Sequence, residues 1–152
     1  QELIDTPESY DESYLFRKMI EPSGIMGDLF RVDIDELNQL RNEQNHIVGG
    51  GFKTMTPIEL FESNSRFHET LAKWSNNRFI LQSIKRVNQL RRLVEYQQAS
   101  TNRKPRQTQA HEHIEILDAL SKNNTVRAAA LLQAHLDGAR KGKAIKATGK
   151  KH

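Results

Sequence analysis

The sequence contains no cysteine, which excludes disulfides, thiolate zinc sites, iron–sulfur clusters and thiol nucleophiles. Such a chain suits a reducing compartment, and a cytoplasmic location is expected. No apolar run approaches the roughly 18 residues of a membrane span, and the first residues lack a basic-then-apolar signal pattern, so neither membrane insertion nor secretion is expected. Val, Ile and Thr do not cluster in alternating runs, so strands are not expected, and no internal repeat or low-complexity block stands out. Hydrophobic residues make up only 36% of the chain against 28% charged, within reach of helices whose outer faces are strongly charged. At 152 residues the chain has the length of one domain and needs no covalent staple to fold.

The net charge of +4 points toward nucleic acid until it is located. Arg140, Lys141, Lys143, Lys146, Lys150 and Lys151 all follow Asp137, the last acidic residue, so residues 1–139 carry about −2. A core domain over 1–139 and a disordered basic tail over 140–152 are expected. The chain starts at Gln1, without an initiator Met, as a piece cut from something longer would.

Helical spacing dominates and predicts an all-α protein, an antiparallel bundle of about six helices. Thr6-Pro7 starts the first, which turns Tyr10, Tyr14, Leu15, Ile20, Ile25 and Leu29 inward and bends near Pro22. Asp33 and Glu36 have capping-box spacing before Ile34, Leu37, Leu40 and Ile47, and Gly49-Gly50-Gly51 ends this helix. Thr56-Pro57-Ile58-Glu59 opens a third helix carrying Leu60, Phe61, Phe67, Leu71 and Trp74, ended by Ser75-Asn76-Asn77. A fourth, from about Arg78 to Gln98, is expected to bury Phe79, Ile80, Ile84, Val87, Leu90 and Val94. Its Arg86, Arg91 and Arg92 then read as a solvated face. After a loop over 100–105, a fifth helix runs from about Gln107 to Leu120. Asn124 or Thr125 caps a sixth, with Ala128, Leu132, Leu136 and Ala139 inward.

Several polar residues interrupt these apolar stripes. Asn64 and His68 lie one turn apart on the stripe of Leu60, Phe67 and Leu71; His113 lies among Ala110, Ile114, Leu117 and Leu120; His135 lies among Ala128, Leu131, Leu132 and Ala139. His46, His111 and His152 fall on the surface or in the tail. A single buried imidazole is usually satisfied by a neighbouring hydroxyl or carbonyl, but three from three helices can be satisfied together by one divalent cation. Spacing alone leaves both readings open. Phe67, Trp74 and Phe79 are core residues or the walls of a ligand pocket.

Three blocks carry a resemblance: Asn64-Ser65-Arg66-Phe67-His68-Glu69-Thr70-Leu71, then Glu112-His113-Ile114-Glu115-Ile116 with Ala119, then Ala129 with Gln133-Ala134-His135-Leu136. With the Arg17-x-x-x-Glu21-Pro22 stretch of the first helix, they resemble the FCD domain, the C-terminal effector-binding and dimerisation module of FadR-subfamily GntR bacterial transcription regulators. Six helices suit its VanR-like branch. The resemblance implies a divalent metal, commonly zinc or nickel, held at the positions of Asn64, His68, His113 and His135. Asn64 stands where an acidic residue is usual, so it brings no charge and leaves the site attractive to an anion. The resemblance further implies a homodimer, a small carboxylate effector and DNA binding through a winged helix-turn-helix domain, for which nothing ahead of Tyr10 has the length. On the same resemblance Arg17 holds an effector carboxylate; on helix geometry alone it pairs with Glu21.

An effector-sensing module, not an enzyme, is therefore expected. Two alternatives stand beside it: a metal-dependent hydrolase-like enzyme on a helical bundle, and a metal-free helical interaction module. The first lacks a carboxylate on the histidine stripes to act as general base, with Glu69, Glu112 and Glu115 all off-face.

Overall fold

The computed structural model describes residues 7–98 and 106–149, and among these residues it contains helices and no strand. Six long helices form a bundle: α1 (Pro7–Ile25), α2 (Ile34–His46), α3 (Pro57–Trp74), α4 (Arg78–Gln98), α5 (Arg106–Ser121) and α6 (Thr125–Gly149). The caps follow the local chemistry. The Asp33 side chain accepts from the Glu36 N–H at the start of α2. Thr56 and Glu59 close a reciprocal capping box at the start of α3, with Pro57 in the first turn. The connections at Ser75–Asn77 and Lys122–Asn124 each contain an Asn at positive φ, Asn76 and Asn123, a conformation Asn tolerates better than most residues.

The three glycines after α2 do not simply end it. The helix widens into a π turn over Ile47–Gly51, inside which Gly50 takes φ 142°, and passes into one short turn over Phe52–Thr54 before α3. A side chain at position 50 would be strained there, so glycine is what allows the switch.

Ion pairs and hydrogen bonds show how the helices run. Arg41 with Asp118 and Gln44 with His113 set α2 antiparallel to α5. Glu62 with Arg92 and Glu69 with Asn88 do the same for α3 and α4. Asp11 with Arg140 and Lys18 with Asp137 join α1 to α6. The main core comprises Tyr14, Ile25, Leu37, Leu40, Phe67, Leu71, Trp74, Ile116, Leu117, Leu120, Leu132 and Leu136. A smaller cluster of Ile47, Leu60 and Ala110 lies beneath the π turn.

Three expectations need correction. Leu15 and Leu29 are exposed, not inward, because they lie off the strip where their segments meet neighbouring helices. Phe79 is 79% exposed, and the buried face of α4 is instead Ile84, Asn88, Arg91 and Glu95, so most of its buried side chains are polar. Arg91 is consequently interior, while Arg92 pairs with Glu62 and Arg86 is exposed as expected. The last helix, α6, runs on to Gly149, because Ala and Lys residues support helix and no proline interrupts. The Thr6 cap, the loop over 100–105 and His152 lie outside the described residues.

Candidate metal centre

His68 from α3, His113 from α5 and His135 from α6 converge in the middle of the bundle, all buried, and each offers a ring nitrogen within 4.8 Å of the other two. Phe67 forms one wall, its ring stacked on that of His113 at 3.9 Å and 13°. Asn64, one turn before His68, is half-buried and lines a small cleft with Gln44, Gln109 and His113.

The partners of the outer ring nitrogens set the chemistry. His68 Nδ1 lies 2.6 Å from Glu21 Oε1, His135 Nδ1 lies 2.6 Å from Glu112 Oε1, and His113 Nδ1 lies 2.9 Å from Gln44 Oε1. Ionised carboxylates only accept, and the Gln44 amide nitrogen is turned to Ser63 Oγ, so all three Nδ1 atoms are assigned as N–H donors. Each neutral ring then directs an Nε2 lone pair inward. In these tautomers His113 Nε2 and His135 Nε2, 3.0 Å apart, have no proton to share unless one is taken up, and His68 Nε2 is buried with no hydrogen-bond partner. Facing lone pairs in a dry interior repel, and a cation relieves all three at once. Imidazole nitrogen binds zinc at about 2.0–2.1 Å, which requires donors a few ångströms apart, as these are. The residues therefore fit a divalent ion.

Burial favours the neutral form of His68 and His113. Burial pushes His68 down to about 4, with the nearby Arg17 charge adding to the effect and Glu21 opposing it. Burial, together with the other two imidazoles and Arg17, lowers His113 well below its ordinary value. Burial alone would raise Glu21, but the charges and hydrogen bonds of His68 and Arg17 outweigh it and bring Glu21 to about 2. In the unfolded chain the imidazoles protonate near 6.5 and the carboxylate near 4.5. Between those values and the lower folded ones, the unfolded state binds more protons at all three groups, so stability falls on acidification. Denaturant titrations of the metal-free protein should show a midpoint that drops steadily from pH 6.5 to pH 4, by up to about 1.4 kcal/mol per pH unit per group. A flat profile over that window would mean the rings are not buried neutral.

Arg17 has both of the roles considered for it within reach. It is 1% exposed, and its Nε donates to Glu21 Oε2 at 2.8 Å, the pairing expected from helix geometry. Its Nη2 is nevertheless buried without a partner. Glu21 thus joins Arg17 to His68, and a chain of charge-assisted hydrogen bonds links α1 to the histidine cluster.

The family model described as FCD domain matches residues 12–138. The chain belongs to the FCD domain family. FCD domains are the C-terminal effector-binding domains of GntR-family regulators, they sense ligands and they often bind a metal. No curated protein and no solved structure matches the chain. Among its described residues, no helix is long and apolar enough to cross a membrane.

Three residues of this FCD domain site, Gln44, Glu21 and Glu112, escape the sequence reading, as does the interior position of Arg91. Gln44 continues the stripe Leu37, Leu40, Ile47 as a polar interruption, the same signal that singled out the histidines. Arg91 belongs to the evenly spaced set Ile84, Asn88, Arg91 and Glu95, which a search for apolar residues passes over. Glu21 and Glu112 act on rings carried by other helices, and only tertiary structure supplies those partners. Of the aromatics, Phe67 walls the site, Trp74 is core with its Nε1 donating to Glu36, and Phe79 does neither.

Proposed function

We propose that this FCD domain senses a small organic acid through a divalent ion, zinc or nickel, held by His68, His113 and His135 with Asn64 beside them. As a homodimer in the cytoplasm, it then controls DNA binding by a winged helix-turn-helix domain. The observation that carries the reading is the convergence of three Nε2 lone pairs, each oriented from behind by an acceptor on its Nδ1–H. A divalent ion there supplies a positive centre to which a carboxylate oxygen binds. Because the imidazoles and Asn64 are neutral, they cancel none of its charge. Arg17 orients the acid through its unpartnered Nη2, and the Arg17–Glu21–His68 chain ties the occupied site to α1.

The hydrolase-like alternative is less well supported. Glu21 and Glu112 both engage ring N–H groups, positions that orient imidazoles, and Glu69 accepts from Asn88. The metal-free alternative needs a proton shared between the Nε2 atoms of His113 and His135, and it still leaves His68 Nε2 buried without a partner.

A thermal-shift screen of dicarboxylates, tricarboxylates, sugar acids, fatty acids and aromatic acids, with and without chelator, tests the reading. At about a hundred times the dissociation constant, linkage stabilises by roughly 2.7 kcal/mol, or about 5–10 °C for a domain of this size. The shift should vanish with chelator and in His113→Ala. Hits that are neutral molecules, or acids whose shift survives complete metal removal, would refute it.

A further inference from the structure

Two guanidinium groups from different helices are buried in this bundle, and their neighbours do not use all their donors. Arg17 keeps Nη2 shielded from solvent and unpartnered. Arg91 on α4 is 2% exposed; its Nη2 donates to the Tyr14 hydroxyl at 2.8 Å, while Nε and Nη1 have no partner. Both flank the Tyr14 ring, with Cζ 5.4 Å (Arg17) and 4.9 Å (Arg91) from its centroid. The rings of Tyr10 and Phe61 also enclose Arg91, at 5.8 and 5.6 Å. Aromatic faces ease the charge of a guanidinium but accept none of its in-plane N–H bonds.

The carboxylates beside these two arginines are already engaged. Both oxygens of Glu21 are taken, one by Arg17 Nε and the other by His68 Nδ1. Glu95 accepts from the Tyr10 hydroxyl at 2.6 Å and lies 3.9 Å from Arg91 Nη2, the nitrogen already bound to Tyr14. Charged donors left without acceptors in a fold's interior are costly, and such groups are kept where a ligand completes them.

We infer that Arg17 and Arg91 together form a second acid-binding subsite beside the histidine cluster, and that the molecule bound in this bundle is a short dicarboxylate, with one acid group at each. The inference rests on the proposed reading of the histidine site as a place for an organic acid. Since only Glu21 separates Arg17 from His68, one small molecule reaches both places. Charge points the same way. Glu21 and Glu95 offset the two arginines, so the charge of the ion at the neutral imidazoles is left over, eased only by the half-exposed Glu112. A dianion balances it; a fatty acid of equal length leaves the donors of Arg91 unpaired, and that deficit is the source of discrimination.

Calorimetry of the chain with zinc tests this, using succinate, glutarate and adipate, each against the monocarboxylate of the same carbon count and against its own monomethyl ester. At least one diacid should bind about 10–100-fold more tightly than both controls, the range for a charge-assisted contact. In Arg91→Gln the preference should shrink to about threefold or less through a loss of diacid affinity, and Arg91→Lys, which keeps the charge without the fork, should fall between. The esters remove the second charge from the ligand and need no variant, so they decide the matter even if Arg91→Gln does not fold. Equal binding of diacid, monoacid and ester overturns the second subsite alone. If neither acid binds in the presence of zinc, the organic-acid reading of the histidine site falls, and this inference with it.

Discussion

Removing the metal should lower the melting temperature of this domain by about 8–16 °C. At a metal concentration of about a thousand times the dissociation constant, linkage contributes roughly 4.1 kcal/mol, and a domain of this length shifts by about 2–4 °C per kcal/mol. Elemental analysis after mild purification should find close to one ion per chain. His68→Ala, His113→Ala and His135→Ala should each lose most of it, and Asn64→Ala less, since that position brings no charge. In the metal-free protein, His113→Leu should be neutral or stabilising, because it removes one of two lone pairs facing each other at 3.0 Å. That contrast separates a metal centre from core histidines, whose replacement would cost stability whether or not metal is present. Retention of metal by the triple alanine variant would eliminate the site.

Glu21→Ala should be the most damaging single change outside the apolar core, costing about 3–5 kcal/mol, the usual price of breaking a buried ion pair from one side. It leaves the Arg17 guanidinium buried and unpaired and frees the His68 ring to rotate. Urea titration reads the loss as a lower midpoint at an unchanged slope. The double variant Arg17→Met/Glu21→Leu removes both charges and should recover most of the stability, while losing orientation of His68 and with it about 10–100-fold in metal affinity. If the single and double variants are equally unstable, Glu21 acts by packing and not by charge.

Much of the candidate site was legible because helical periodicity converts sequence spacing into a shared face. His68, His113 and His135 each break an apolar stripe, and that is enough to place all three inside. The same rule applied to Gln44 would have placed it too, but an amide on a stripe reads as a tolerated polar residue unless its partner is known. Arg91 was misread because α4 does not bury its most apolar strip: Phe79 faces outward, while Asn88 and Arg91 face the interior. Hydropathy identifies the face of a helix that is least costly to bury, and in α4 the tertiary packing buries a different one.

The sequence by itself determined the helical class, nearly all element boundaries, the caps at Asp33 and Thr56, the family and the three imidazoles that face the interior. All of these depend on residues within one helix or at its ends, where spacing, side-chain chemistry and backbone preference act over a few residues. Only the tertiary structure decided which nitrogen of each imidazole faces inward, that Glu21 serves Arg17 and His68 at once, that Glu112 turns to His135, and that Arg91 lies against Tyr14. Those contacts join positions from 4 to 77 residues apart, most of them on different helices. Their geometry follows from how the helices cross and rotate against one another, which the packing of the whole core sets and no local pattern encodes.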